Sequence, residues 1–143
     1  MRVTVHVIGR LKEDYFQRAE AEYLKRLRPY ARVEVIEHKN QAALLAALPE
    51  DGLVVTLDER GESSLDSEAF ARRVFENERM TGRGRPIAFA IGGADGHGPE
   101  VRKRADIVLG FGRLTIAHRL VRLLIIEQIY RAFRILAGEP YHR

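Results

Sequence analysis

Residues 87–91 read Ile-Ala-Phe-Ala-Ile, and Gly92-Gly93 follow directly. A segment apolar on both faces suits a strand with helices packed above and below it, not one with a wet side. Leu53-Val54-Val55-Thr56-Leu57 repeats the pattern, and Ile107-Val108-Leu109 is a shorter version. Upstream, residues 2–8 (RVTVHVI) set Val3, Val5 and Val7 on one face, and Val33-Glu34-Val35 suggests a further strand. Helical segments separate these strands. The alternation predicts an α/β fold: one three-layer domain over residues 1–143 with a mainly parallel sheet.

The helices have recognisable ends. Asp14 and Gln17 have the spacing of a capping box, Phe16, Ala19, Tyr23, Leu24 and Leu27 keep helical spacing, and Pro29 closes the run. An alanine-rich helix at 41–48 stops before Pro49-Glu50-Asp51-Gly52. Ser67 is expected to cap the next helix, with Phe70, Val74 and Phe75 facing inward. Pro99 suits the first position of a short helix behind Gly98. The last helix is expected over 118–137, ended by Gly138 and Pro140. It is apolar almost all round between Leu120 and Ile126, which predicts burial, with a leftover face for a second copy of the chain.

Composition narrows the chemistry. Cysteine is absent, so disulfides, thiolate metal sites and a cysteine nucleophile are excluded. The five histidines (6, 38, 97, 118 and 142) have no metal-ligand spacing, and no metal is expected. Residues 1–9 read as a strand, not as a signal peptide, and Arg122 and Glu127 interrupt the longest apolar stretch. A cytoplasmic location is the expectation. The net charge of +4 is compatible with a nucleic-acid partner and equally with none.

Open α/β sheets bind ligands beyond the carboxyl ends of their strands. Three loops fall there: 57–61 (LDERG), 92–98 (GGADGHG) and 110–117 (GFGRLTIA). Glycines let a backbone approach a ligand closely, and they also simply make turns. The second loop matches neither dinucleotide nor P-loop spacing, but it leads into a helix start that suits a carboxylate or phosphate. Behind the last helix the chain ends Gly-Glu-Pro-Tyr-His-Arg at 138–143. His142 reads either as a general base or as a residue of a solvated tail. His118 reads as a capping or loop-orienting residue. Arg119, Arg122, Lys103, Arg104 and the TGRGR loop at 81–85 read as phosphate contacts or as solvated charge, the latter favoured for 102–104.

Together, LDERG, IGGADG, the HRLVRLLIIEQIYRAFRI helix and the terminal PYHR resemble the RlmH family of SPOUT-class RNA methyltransferases (YbeA-like proteins), in order and over essentially the whole chain. The resemblance implies a C-terminal trefoil knot, S-adenosylmethionine as methyl donor, and a homodimer whose active sites are completed near the subunit boundary. It implies methylation of N3 of a pseudouridine, position 1915 in helix 69 of 23S ribosomal RNA. It puts cofactor contacts on Leu57, Gly93, Gly112, Arg113, Leu114, Thr115, Ile116 and Ala117. Tyr141 would hold or stack on the base, His142 would take the N3 proton, and Arg143 would pair with phosphate or the N3 anion. Ala117 stands where the family pattern has proline, Gly112-Arg113 replace its small polar residue and neighbour, and His97 replaces a common aliphatic residue. The competing functions are a non-enzymatic ribosome-associated protein, a nucleotide-binding enzyme, and a methyltransferase of the same class with another RNA target.

Overall fold

The structure is a computed structural model that describes residues 1–80, 84–92 and 97–141. Its strands are β1 (Arg2–Ile8), β2 (Arg32–His38), β3 (Leu53–Glu62), β4 (Ile87–Ile91) and β5 (Ile107–Leu109). They form one sheet, parallel throughout, in the order β2-β1-β4-β3-β5. β4, apolar at every position, lies in the middle and is buried along its whole length. The helices are α1 (Asp14–Leu27), α2 (Gln41–Ala47), α3 (Ser67–Phe70), α4 (Asn77–Met80), α5 (Pro99–Arg104) and α6 (His118–Leu136). A π-helical stretch, Ala71–Glu76, joins α3 to α4 without a break.

Strand periodicity divides the interior into two layers. Val3, Val5, Val7, Val55, Leu57, Phe89 and Ile91 face a large core closed by α1, α6 and the π-helical stretch. Phe75 is fully buried there, with its ring centroid 4.9 Å from that of Phe133 and 6.2 Å from that of Phe89. The opposite face is smaller: Val54, Ala88 and Ala90 pack against Leu44 and Leu48 of the α2 segment and Val101 of α5. Short residues on that face bring these helices close to the strands.

Several local signals are carried by neighbours of the expected residues. Asp66, not Ser67, caps α3 by accepting from the Ala69 amide at 2.8 Å, and Ser67 instead donates to Gln128 on α6. The capping box at Asp14 does not form. Glu13 is the N-cap, without a side-chain bond, and Gln17 donates to the Leu11 carbonyl at 2.6 Å. β3 runs five residues beyond Leu57, with an irregular register against β5 between Leu57 and Glu62.

A charge holds α6 in register. Arg122 is 7% exposed and donates 2.9 Å and 2.8 Å hydrogen bonds to Glu20 of α1 and Glu37 of β2. Burial opposes the charge on Glu37, but Arg122 and the Leu11 amide outweigh it and hold the carboxyl below its ordinary range. Removing one partner from such a cluster strands the remaining charges. Arg122→Leu should therefore lower stability by about 3 kcal/mol, read from the urea midpoint.

The α2 face also carries a histidine pair. His6 Nδ1 lies 2.9 Å from His38 Nε2, the rings stack at 5.2 Å, and His6 Nε2 reaches Thr4 at 3.0 Å. Burial first, and His38 second, lower the His6 pKa to about 4. Below pH 6.5 the unfolded chain binds the proton and the folded chain resists it. Stability should therefore fall as pH drops from 6.5 towards 4, by about 2 kcal/mol at pH 5. His6→Gln should flatten that slope in a series of pH-dependent melts.

Candidate functional site

The carboxyl ends of β3, β4 and β5 surround a cavity of about 550 Å³. That is within the roughly 300–1,000 Å³ of small-molecule sites. Leu57 and Asp58 form one side, Ile91 and Gly92 a second, and Leu109 to Gly112 a third. The loop from Leu114 to Ala117 and the first turn of α6, with His118 and Val121, complete it.

Two glycines make this arrangement sterically possible. A Cβ on Gly61 would meet the Leu109 backbone at 2.7 Å, and one on Gly110 would meet the Asp58 carbonyl oxygen at 2.8 Å. The extension of β3 and the exit from β5 thus cross at main-chain contact, with the Gly110 amide donating to the Glu62 carbonyl at 2.9 Å. Gly112 turns the following loop with φ +112°, a region that side chains avoid. Thr115 then donates to Glu59 at 2.9 Å and ties the loop to the β3 extension.

The electrostatics are balanced. Asp58 and Glu59 face the cavity together with Arg60 and Arg102. Burial pushes the Asp58 carboxyl up, but hydrogen bonds from the Arg60 side chain and amide, with Arg102 nearby, hold it below the carboxylate range and ionised. Arg102 Nε is a buried donor without a hydrogen-bond acceptor, although Asp58 Oδ2 is 3.3 Å away. The contact is an ion pair, and it holds the Arg102 guanidinium between Asp58 and the His97 carbonyl. A ligand with both a carboxylate and cationic groups, on an otherwise apolar body, matches such a lining.

Of the expected cofactor residues, Leu57, Gly112, Leu114, Thr115, Ile116 and Ala117 line the cavity, and Arg113 does not. Gly93, His142 and Arg143 lie outside the described residues. Tyr141 is described and does not line the cavity. Its hydroxyl donates to Glu127 at 2.7 Å, and its ring lies 4.8 Å from Tyr130 and under Arg131. Burial and Glu127 push its phenol far above the ordinary tyrosine value. His118 stands at the first position of α6, behind the N-cap Ala117, and also borders a shallow notch lined by Gly9, Arg10, Leu11 and Arg119.

Several expectations about charge need correction. Arg122 is buried in its cluster with Glu20 and Glu37 and is not a free phosphate ligand, whereas Arg119, half-exposed, pairs with Glu13. Arg104 donates to the Pro49 and Glu50 carbonyls. Arg85, at the end of the basic loop, pairs with Glu78. Arg102, grouped with solvated charge in the sequence, reaches the cavity one helical turn beyond Gly98. The start of α5 is not an open anion site: Gln41 Oε1 occupies the Gly98 amide at 2.7 Å, and the helix has only six residues.

Comparison with known proteins agrees with this architecture. The family described as "Predicted SPOUT methyltransferase" matches residues 1–142. The chain belongs to the SPOUT methyltransferase family. Among its relatives, the Ribosomal RNA large subunit methyltransferase H of Carboxydothermus hydrogenoformans is 41% identical, and that of Anaeromyxobacter sp. (strain K) 44%, each with full coverage of both chains. In fold the chain is similar to a probable methyltransferase of Bordetella pertussis Tohama I, with TM-score 0.61, 13% identity, and 92% of this chain and 96% of that one covered. A probable methylase family protein of Haemophilus influenzae Rd KW20 gives TM-score 0.58 at 11% identity, over 99% and 70% of the two chains.

The crossing of the two glycines makes a direct prediction. Gly110→Val should close the cavity from the β5 side and reduce affinity for S-adenosylhomocysteine at least tenfold in calorimetry. Tyr15→Ala, on the exposed side of α1 and outside the cavity, should leave that affinity unchanged.

Proposed function

We propose that this chain transfers a methyl group from S-adenosylmethionine to N3 of a pseudouridine in large-subunit ribosomal RNA, position 1915 in helix 69. The observation that carries this reading is the glycine-built cavity in a chain matching, end to end, relatives named Ribosomal RNA large subunit methyltransferase H. Within this reading the chain is one domain, works in the cytoplasm, and has the threaded C-terminal segment of its class. Among the described residues no helix is long and apolar enough to cross a membrane, and no cluster could hold a metal ion.

The bound donor would supply an electrophilic methyl group on a sulfonium. Leu57, Gly112 and the backbone of 114–117, with Gly93, would hold the adenosine part, and Arg113, off the cavity lining, would only shape the loop between them. The ionised Asp58 suits the donor's cationic groups, and the Arg102 guanidinium in the cavity wall suits its carboxylate. His142 takes the N3 proton, and Arg143 steadies the anion that develops. Tyr141, with its phenol held neutral, acts by stacking and hydrogen bonding, not as a base.

The same reading calls for a homodimer. Leu114 is 84% exposed at the cavity mouth, and Leu120 and Leu124 leave an uncovered apolar stripe on α6. A second copy seated on that stripe buries it and brings another chain's terminus to the cavity, which suits a Tyr141 that lies away from its own.

Labelled methyl groups should pass from S-adenosylmethionine to purified ribosomes, and nuclease mapping should locate them at a single pseudouridine. The double variant Tyr141→Ala/His142→Ala should lose this activity and keep cofactor affinity within about twofold. Salt-sensitive ribosome binding with no heat on adding the cofactor would establish the non-enzymatic alternative instead.

A further inference from the structure

His97 is 5% exposed in the cavity wall, yet it makes polar contacts on every available atom. Its Nε2 lies 2.8 Å from the Ala90 carbonyl of β4. A carbonyl only accepts, so Nε2 carries the hydrogen and Nδ1 is left as an acceptor. Nδ1 faces Gln41 Nε2 at 3.5 Å. The Gln41 carboxamide has no freedom to turn round, because its oxygen accepts from the Gly98 amide at 2.7 Å. His97's own carbonyl accepts from Arg102 Nη2 at 2.8 Å, and Arg102 Nε stands 3.3 Å from Asp58. One residue therefore connects β4, α2, α5 and the end of β3. Burial lowers the affinity of the imidazole for a second proton, which keeps it in the single form this geometry accepts.

We propose that His97 is a positioning residue for the cofactor cavity: clamped between the Ala90 carbonyl and the Gln41 carboxamide, it fixes the Arg102 side chain and the chain entering α5 against the wall where the donor binds. Leucine would fill a similar space but would remove the Nε2–H donor to the Ala90 carbonyl and the acceptor that faces the Gln41 amide nitrogen, and would loosen the peptide that anchors Arg102. This inference rests on the cavity being the S-adenosylmethionine site, and its effect belongs to binding and not to the methyl-transfer step.

The test uses the full-length protein, with sinefungin in calorimetry and S-adenosylmethionine in initial-rate assays. His97→Leu should raise the sinefungin Kd and the cofactor KM about tenfold while kcat stays within about threefold. His97→Gln, whose side-chain amide nitrogen reaches the position of Nε2 and can still donate to the Ala90 carbonyl, should recover most of the loss. Gln41→Leu should weaken binding in the same direction. The double variant Gln41→Leu/His97→Leu should be little worse than His97→Leu alone, because the two side chains act as one unit. Should His97→Leu fail to fold, Gln41→Leu and His97→Gln carry the test. Equal affinity in wild type and variants overturns the role of His97 and leaves the cavity assignment standing. A fall in kcat with unchanged KM, or failure of His97→Gln to rescue, also overturns it. A wild type that binds no sinefungin overturns the cavity assignment itself, and this inference with it.

Discussion

The structure depends on how closely two stretches of backbone can approach at the carboxyl end of the sheet. Beyond Leu57 the third strand continues across the exit of the fifth, and their main chains touch where Gly61 meets Leu109 and Gly110 meets Asp58. No side chain fits at either glycine without displacing backbone. Because the crossing is so tight, the loop after β5 is directed back over the strand ends and walls one side of the cavity. The glycine-lined wall, the turn at Gly112 and the tie from Thr115 to Glu59 all follow from that contact.

Around the crossing, the rest of the molecule supplies stiffness. Phe70, Phe75, Phe89 and Phe133 fill the larger layer, and alanines at 88 and 90 thin the other so that α2 and α5 sit close to the strands. α6 begins at the cavity, at His118, and is fixed one turn later by Arg122 between two carboxylates. Its far end is fastened as well: Tyr30 donates to Glu139 at 2.7 Å, and Tyr141 to Glu127. The helix that frames the site is thus held at both ends by buried or half-buried polar contacts, with apolar packing between.

Most of the architecture was legible because period and length decide it. Apolar runs at 53–57 and 87–91 specify central strands, and the spacing of Phe70, Val74 and Phe75 specifies an inward helix face. Each of the three loops expected to carry the site contributes described residues to the cavity: Leu57 to Arg60, Gly92 with His97, and most of 110–117. What stayed hidden depends on partners distant in sequence. Arg122 reads as a surface cation until Glu20 and Glu37, on other elements, are seen around it. Arg102 reads as one of three neighbouring charges, and only the fold shows it beside Asp58. His97 stands out only as a departure from the aliphatic residue of the family pattern, and its partners Ala90 and Gln41 belong to a strand and a helix that nothing in the local sequence connects. Caps were ambiguous for a simpler reason: Asp66 and Ser67 are both good capping residues, and one residue of phase decides between them.

The sheet margins set a limit on self-association. One margin is β2, where Arg32, Glu34, Glu37 and His38 are interspersed with Val33, Val35 and Ile36, and the other is β5, only three residues long. Charged side chains and a short span make both poor templates for adding a foreign strand. Edge-to-edge stacking into fibrils is thereby disfavoured, and copies of this chain are left to meet through helical surfaces.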